Sequence, residues 1–374
     1  MTMLKSPQFK EEVLALFAER GAEAVDIPVI QPADPFLDMA GEDLRRRIFL
    51  TESETGKSLC LRPEFTIPVC LRHIELQPGT PRRYAYHGQV FRQRRDGGNE
   101  FYQAGIEDLG NMDMAAADAA AVKDAADTLA ALLPGAQLIT TLGDQTVFEA
   151  VVESLGLPDG WQTRLIRAFG DAGQLDALLG SLSKPSAPLP GLDGEVAALL
   201  SAGDEDGLAA LLDKRMRASG LMSNASRTPA EIAARVFEKA RLSSVHLDAK
   251  ALDVLKTFLA LDTPLADAPD ALAAFARIAG LDIAAALTAF DDRVSALKKS
   301  GFSLDQSHYR AAFGRPLDYY TGLVFEHSTN GAVLAGGGRF DRLLTLLGAQ
   351  TTIPAVGFSL WLDRIEAAQG GRSI

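Results

Sequence analysis

The chain has 374 residues, 47% of them hydrophobic, and a formal net charge of −12. This length allows two or more domains and a sizeable core. The negative charge argues against a broad nucleic-acid footprint, because such a surface needs lysine and arginine in excess on one face.

The cysteines and the N-terminus indicate the compartment. Cys60 and Cys70 lie in apolar segments without the spacing of a disulfide framework, so both are expected to be buried in a reducing compartment. The first residues lack a secretory signal, and no apolar run is long enough to cross a bilayer. The sequence therefore predicts a cytoplasmic protein with no membrane partner.

Short elements come first along the chain. Ser6 to Arg20 has the apolar spacing of an amphipathic helix, and Gly21 ends it. Strands are predicted from Ala24 to Ile30 and from Leu44 to Thr51. These elements are too short to reveal a function.

A strand-to-helix junction follows. Lys57 to Arg62 is predicted to be a strand that Pro63 ends, and apolar residues from Ile67 to Ile74 then recur at helical spacing. Glu64 therefore lies near the positive end of a helix, where a carboxylate is stabilised.

The next stretch is predicted to be a hairpin with polar side chains. Tyr84 to Arg92 and Glu100 to Asp108 alternate as strands, and Asp96-Gly97-Gly98-Asn99 is a strong turn signal. Arg92 lies near the end of the first strand. Since such groups are unfavourable to bury unpaired, the pattern indicates either a solvent-exposed sheet face or a binding site. Strand periodicity puts three residues of the second strand on one face: Gln103, Gly105 and Glu107.

The middle of the chain is mostly helical. A helix from Ala115 to Leu133, a strand from Gln137 to Leu142 and a helix from Asp144 to Leu155 are predicted in turn. Strand signals then fade, and residues 158–300 are rich in alanine, leucine and aspartate with short, interrupted helical patterns. This segment is predicted to be an inserted helical region.

Sheet character returns near the end of the chain. Strands are predicted from Tyr320 to His327 and from Ala332 to Ala335, and a triple glycine, Gly336 to Gly338, follows the second. These glycines allow either close approach to a ligand or strand-on-helix packing, and they match no dinucleotide fingerprint. A helix, a strand from Ile353 to Phe358 and a last helix from Leu360 to Ala368 complete the pattern.

Five motifs together resemble the histidyl-tRNA synthetase family of class II aminoacyl-tRNA synthetases. They occur in the family's order: LRPEFT, FRQRR with EFYQAGIE, RPLDYYTGLVFE, AGGGRFDRLL and AVGFSLWLDRI. The resemblance implies an α+β class II catalytic fold: a six- or seven-stranded antiparallel sheet flanked by helices, and a dimer formed through the N-terminal part. The expected organisation is a synthetase-like core in residues 1–157 and 301–374, interrupted by a helical insertion in residues 158–300.

The resemblance also assigns residues to a histidine-like pocket. It implies that Glu64 holds the ammonium of histidine, that Gln103 and Glu107 line the pocket, and that Arg315 contacts the carboxylate. It implies further that Arg92 contacts carboxylate or phosphate. The whole expected pocket comprises Glu64, Thr66, Arg92, Gln103, Glu107, Arg315, Tyr319 and Tyr320, with Tyr320 beside the imidazole. Arg92 and Arg364 would form a vestigial nucleotide site, and no catalytic residue, metal or cofactor is expected.

Departures from the family pattern point away from a synthetase. Arg94 stands where the family has a glutamate that reads ATP, and Phe340 stands where it has a tyrosine. The motif 2 loop is also shorter, and no anticodon-binding domain is expected after the last motif. A cation replaces an acceptor at position 94, which is unfavourable for ATP recognition.

These features resemble the regulatory subunits of short-form ATP phosphoribosyltransferase, which acts first in histidine biosynthesis. The resemblance implies a non-catalytic chain that supports a short catalytic subunit and takes part in feedback inhibition by L-histidine. The implied assembly is a homodimer core within a hetero-octamer, without tRNA. Two alternatives stay open: an amino-acid-activating enzyme that uses ATP, and an amino-acid-binding module of another kind.

Overall fold

The computed structural model describes residues 10–39, 42–76, 79–94, 98–183, 193–219, 228–244, 247–315 and 319–370. The chain divides into two compact units. The first comprises Met1–Val151, Phe169–Asp171 and Thr257–Ile374, and the second comprises Val152–Ala168 and Ala172–Lys256. Within the described ranges, no helix is long and apolar enough to cross a membrane.

All the described strands lie in the first unit. They are β1 (Glu23–Ala24), β2 (Ile30–Pro32), β3 (Leu50–Glu52), β4 (Ser58–Leu61), β5 (Arg82–Phe91), β6 (Glu100–Leu109), β7 (Ile139–Asp144), β8 (Asp262–Pro264), β9 (Ser307–Arg310), β10 (Leu323–Thr329), β11 (Ala332–Arg339) and β12 (Ala355–Trp361).

The helices occur in both units. They are α1 (Lys10–Glu19), α2 (Asp34–Met39), α3 (Glu42–Arg45), α4 (Thr66–Leu76), α5 (Met114–Leu132), α6 (Gln145–Ser154), α7 (Asp159–Arg167), α8 (Ala172–Leu182), α9 (Gly194–Ala202), α10 (Glu205–Ala218), α11 (Pro229–Ser244), α12 (Ala249–Leu259), α13 (Ala268–Ala279), α14 (Ala284–Lys299), α15 (Asp341–Leu346) and α16 (Leu362–Gln369).

A nine-stranded sheet organises the first unit, with strand order β1-β5-β6-β12-β11-β10-β7-β9-β8. Its central pairs are antiparallel, while β1–β5 and β7–β9 are parallel. The antiparallel core agrees with the predicted class II fold. The strand count exceeds the expected six or seven because the short β1, β8 and β9 extend the two edges. A separate three-stranded sheet has the order β2-β4-β3.

The hairpin prediction is confirmed, since β5 and β6 pair from Arg82–Leu109 to Phe91–Glu100. Two components of the sequence analysis lie outside the described residues: Asp96 and Gly97 of the turn, and the start of the first helix at residues 6–9. The paired strands carry the polar face on which the site is built.

Two predicted strands are wrong. Between Ala24 and Ile30 only the ends are strand, because Pro28 has no N–H to donate to a ladder. In the segment from Leu44 to Thr51, Leu44 and Ile48 are both buried, at the spacing of one helical turn. The segment therefore begins at the end of α3, and only Leu50 and Thr51 belong to a strand.

The three glycines from Gly336 to Gly338 lie inside β11 rather than after it. Residues 257–300, which the sequence analysis grouped with the insertion, belong to the first unit. The reason is packing, since α14 lies along α5. The second unit keeps α7 to α11 and has a small core of Val196, Leu208 and Ala233.

A core of α4, α15 and residues of both sheets lies on the same face of the large sheet as Gln103 and Glu107. Its large side chains include Phe36, Phe65, Tyr86 and Phe101. Cys60 and Cys70 are free and fully buried in the same core, as predicted.

A buried histidine makes the stability of the first unit depend on pH. Nε2 of His327 donates to the Val122 carbonyl at 3.0 Å, and Nδ1 accepts from the Thr140 hydroxyl at 2.9 Å. Burial lowers the pKa of His327 from 6.5 to about 4. The unfolded imidazole therefore takes up a proton before the folded one as pH falls through this window, and stability is lost.

We expect His327→Gln to remove this dependence. The pH-dependent loss attributable to His327 between pH 7 and pH 5 is on the order of 2 kcal/mol in the wild-type chain and is absent from the variant. Urea unfolding of both chains at the two pH values measures the difference. Parallel losses of stability in the two chains would show that His327 does not titrate in this window.

Candidate functional site

The register of the large sheet places polar residues and glycines of three neighbouring strands on one face. Gln103, Gly105 and Glu107 of β6 lie opposite Trp361, Ser359 and Gly357 of β12. The next strand places Gly336 and Gly338 of β11 on the same face, opposite Ser359 and Gly357. The predicted alternation in β6 is therefore confirmed, and the face continues across two strands that the sequence did not connect to it.

Glycines on β11 make room for the side chains of the site. A methyl group at Gly336 would overlap Nη1 of Arg315, and one at Gly338 would lie 2.9 Å from the Tyr320 ring. The glycines thus accommodate the protein's own arginine and tyrosine over the sheet. Part of the motif that carries both residues, Pro316 to Asp318, lies outside the described residues.

Glu64 caps helix α4. One carboxylate oxygen accepts a hydrogen bond from the Thr66 amide at 2.6 Å and the other accepts one from the Ile67 amide at 3.0 Å. Burial raises the pKa of Glu64, against the effect of these amides and of Arg92. The predicted position at a strand-to-helix junction is confirmed, and both oxygens already have backbone partners.

Glu107 is buried with one oxygen unpaired. Oε1 accepts from the Thr66 hydroxyl at 2.7 Å, whereas Oε2 has no hydrogen-bond partner of normal geometry among the described residues. That oxygen lies against Gly357, where a methyl group would overlap it. Burial raises the pKa of Glu107 well above its usual range, and the nearby Glu64 raises it further.

Two more buried atoms on this face lack partners in the described part of the chain: Oε1 of Gln103 and Nε of Arg315. Arg315 also donates to Glu326 at 2.6 Å, and its guanidinium carbon lies 5.5 Å from the centre of the Trp361 ring. The face therefore offers two acceptor oxygens and one cationic donor. This set complements a ligand with its own N–H groups and a carboxylate.

Tyrosines enclose the same region. Tyr319 is buried, and its ring centre lies 5.2 Å from that of Tyr320 and 6.1 Å from that of Phe340. Burial raises the pKa of both tyrosines, and Arg315 opposes the shift at Tyr320. Phe340, one of the departures from the family pattern, is therefore a packing partner of a predicted pocket residue.

The arginines predicted to contact phosphate have other partners here. Nε of Arg92 donates to the Pro63 carbonyl at 2.7 Å, and burial lowers the pKa of Arg92 to about 10. Nη1 of Arg364 donates to the Val333 carbonyl at 2.7 Å.

Arg94, which replaces a glutamate of the family pattern, covers the ring of Phe101. Its guanidinium carbon lies 3.8 Å from the ring centre, a cation–π contact. Phe101 is therefore covered by a side chain of the protein itself.

Sequence reasoning missed Glu326 and Trp361 as members of this face. Both stand inside the quoted motifs, but their position depends on pairing with distant strands: Glu326 with Gly336, and Trp361 with Gln103. A register prediction across β10, β11 and β12 would have found them. Among the described residues no group of three His, Cys, Asp or Glu side chains could hold a metal ion.

Comparison with known proteins identifies the class. The sequence profile described as Histidyl-tRNA synthetase matches residues 2–227 and 195–365. A crystal structure described as an ATP phosphoribosyltransferase regulatory subunit/histidyl-tRNA synthetase from Bacillus halodurans C superposes with a TM-score of 0.64 at 18% identity, covering 96% of this chain and 77% of that one. Histidyl-tRNA synthetase from Nostoc sp. PCC 7120 gives a TM-score of 0.62 at 15% identity, with coverage of 98% and 74%. The fold is that of the histidyl-tRNA synthetase-like class II proteins.

Curated relatives narrow the class. A protein of Allorhizobium ampelinum is 64% identical over 371 residues, covering 99% of this chain and 100% of its own. A protein of Agrobacterium fabrum is 62% identical over 372 residues and covers 99% of both chains. Both are named ATP phosphoribosyltransferase regulatory subunit. The chain belongs to this family of regulatory subunits.

Proposed function

We propose that this chain is the regulatory subunit of a short-form ATP phosphoribosyltransferase, which carries out the first step of histidine biosynthesis. It supports the activity of the short catalytic subunit, has no transferase activity of its own, and mediates feedback inhibition by L-histidine. The observation that carries the proposal is a polar face in a chain of this family on which three buried atoms, on Gln103, Glu107 and Arg315, have no hydrogen-bond partner within the described part of the chain.

Histidine suits these atoms by charge and hydrogen bonding. Its ammonium and imidazole N–H groups donate, which suits Oε1 of Gln103 and Oε2 of Glu107. Its carboxylate accepts, which suits Arg315, with the tyrosines beside the imidazole. Ligand binding would give partners to three buried atoms that have none among the described residues.

Some of the pocket residues also form hydrogen bonds with one another. An alternative interpretation is therefore that they form a purely structural network. Thr66 bridges Glu64 and Glu107, and Arg315 pairs with Glu326. A network with a solely structural role would be expected to close on itself. Because three of its atoms remain open among the described residues, ligand binding accounts for the face better.

The proposed assembly is a homodimer core joined to catalytic subunits in a cytoplasmic hetero-octamer. The net charge of −12 supports a role without tRNA.

Co-purification with a short catalytic subunit tests the assembly. The two chains are expected to elute together, and light scattering of this chain alone is expected to give a dimer. Separate elution of the two chains at micromolar concentration would contradict the proposal.

The runner-up function is an enzyme that activates histidine with ATP. The contacts of Arg94 with Phe101 and of Arg364 with the Val333 carbonyl count against it. Each guanidinium contacts another part of the protein, whereas a nucleotide site would direct it toward the phosphates. We therefore expect the purified chain to show no histidine-dependent exchange between pyrophosphate and ATP. A histidyl-tRNA synthetase is the positive control, and measurable exchange by this chain would favour the runner-up.

A further inference from the structure

We propose that Arg339 and Asp118, on the opposite face of the sheet from the pocket, are positioning residues for it. They hold residues 319–322, the loop that carries Tyr319 and Tyr320. The proposal deepens the proposed function, and it rests on histidine binding in that pocket.

A buried ion cluster fixes Arg339. Its Nε and Nη2 atoms contact the same oxygen of Asp118, Oδ1, at 2.8 and 2.6 Å, and Nη1 contacts Asp341 at 2.8 Å. Nη2 also donates to the Met114 carbonyl at 3.0 Å. Arg339 is 2% exposed and Asp118 is fully buried, so both side chains are held in one arrangement.

The end of β11 holds the loop directly. The Arg339 carbonyl accepts from the Thr321 amide at 2.8 Å, and the Thr321 hydroxyl accepts from the Asp341 amide at 3.0 Å. The side chain of Arg339 also packs on Gly322, where a Cβ would lie 3.1 Å from Arg339 Cδ. At this end of β11, Thr321 is therefore held by the Arg339 carbonyl and the Asp341 amide, and Gly322 is held by the aliphatic part of the Arg339 side chain.

The same strand end supports the tyrosines. The ring of Tyr320 lies over Gly338, the residue before Arg339. The ring of Tyr319 packs on Phe340, the residue after it. A shift of Arg339 would therefore move the sheet surface beneath both rings, even though its guanidinium points to the other face.

The planar guanidinium is essential to this arrangement. Its donors reach Asp118, Asp341 and the Met114 carbonyl at once, whereas the single ammonium of lysine cannot reproduce that fork. Arg339→Lys keeps the charge and loses the geometry. We expect it to weaken histidine binding roughly tenfold or more, because a pocket depends on fixed supporting contacts.

A matched control distinguishes positioning from general stability. Arg83 also pairs with a carboxylate of α5, Asp124, at 2.6 Å, but it lies on β5, away from the 319–322 loop in the sheet order. Arg83→Lys is therefore expected to loosen an α5 ion pair and to leave histidine affinity within about twofold of wild type.

The experiment is calorimetric titration of L-histidine into the complex with the catalytic subunit, for wild type and both variants. It is run well below the melting temperature of each complex. A loss confined to Arg339→Lys supports positioning, and equal affinities for that variant and wild type overturn it. Wild type without histidine binding would instead overturn the proposed pocket itself, and the positioning role with it.

A second variant covers the case in which Arg339→Lys does not fold. Thr321→Val keeps the ion cluster and removes the hydroxyl, which accepts from the Asp341 amide at 3.0 Å and also donates to the Arg339 carbonyl at 3.4 Å. It is expected to weaken histidine binding roughly three- to tenfold, the scale of one hydrogen bond. An unchanged affinity in this folded variant would also overturn the proposal.

Discussion

Replacing Glu107 by alanine is expected to weaken inhibition by histidine roughly 30-fold, which corresponds to about 2 kcal/mol, the scale of a lost charged hydrogen bond. The physical reason is the buried carboxylate of Glu107, whose Oε2 has no hydrogen-bond partner of normal geometry among the described residues. Burial and Glu64 raise the pKa of Glu107 and so favour its protonated form, whereas the positive charge of a bound ammonium favours the ionised form that accepts a hydrogen bond. The measurement is transferase activity of the assembled complex over a histidine titration.

Glu75→Ala is the matched control, because Glu75 is an exposed glutamate on α4, the helix that begins at the site. Its inhibition curve is expected to superpose on the wild-type curve. Unchanged inhibition in an assembled Glu107→Ala complex would mean that histidine acts at another site, such as a subunit interface.

Replacing Gly336 by alanine is expected to weaken inhibition roughly tenfold to 100-fold, although the substitution adds a single methyl group. The added Cβ would overlap Nη1 of Arg315. Since the overlapping atom is the far end of a flexible side chain, the arginine moves and the strand remains folded. The displaced guanidinium then no longer meets the carboxylate of histidine, and the inhibition curve of the complex records the loss.

A glycine in open space provides the comparison. Gly180 lies in α8, and a methyl group there has no neighbour within 4 Å beyond the helix's own backbone. Gly180→Ala is expected to leave histidine inhibition unchanged. Wild-type inhibition in a folded Gly336→Ala complex would show that Arg315 does not contact the ligand from its position over β11.

The parts of the fold that sequence could predict are those with a local cause. The β5–β6 hairpin follows from strict alternation, and Glu64 follows from a proline-ended strand before a helical pattern. The edge strands β1, β8 and β9 have two to four residues, so their existence depends on a neighbouring strand rather than on their own pattern. The two strands that were predicted wrongly also have local causes: Pro28 has no N–H to donate, and Leu44 and Ile48 are buried at the spacing of a helical turn.

The residues of the site also divide into those with a local cause and those that depend on distant parts of the chain. Gln103 and Glu107 share a face by period two, which sequence alone gives, but Trp361 and Glu326 join them only through register between distant strands. Glycine is unfavourable in strands, so the sequence predicts a strand that ends at Ala335, before Gly336 to Gly338. In the folded chain the same glycines lie inside β11, where Gly336 and Gly338 leave space for the side chains of Arg315 and Tyr320. The identity of Arg94 was evident in the sequence, whereas its stacking on Phe101 was not.

The most direct measurement adds this chain stepwise to a short-form ATP phosphoribosyltransferase catalytic subunit and follows transferase activity with and without L-histidine. We expect activity to rise with each addition, to saturate at a fixed ratio of the two chains, and to become sensitive to histidine only in the assembled complex. Activity that stays constant over the whole titration, with the same response to histidine at every point, would contradict it.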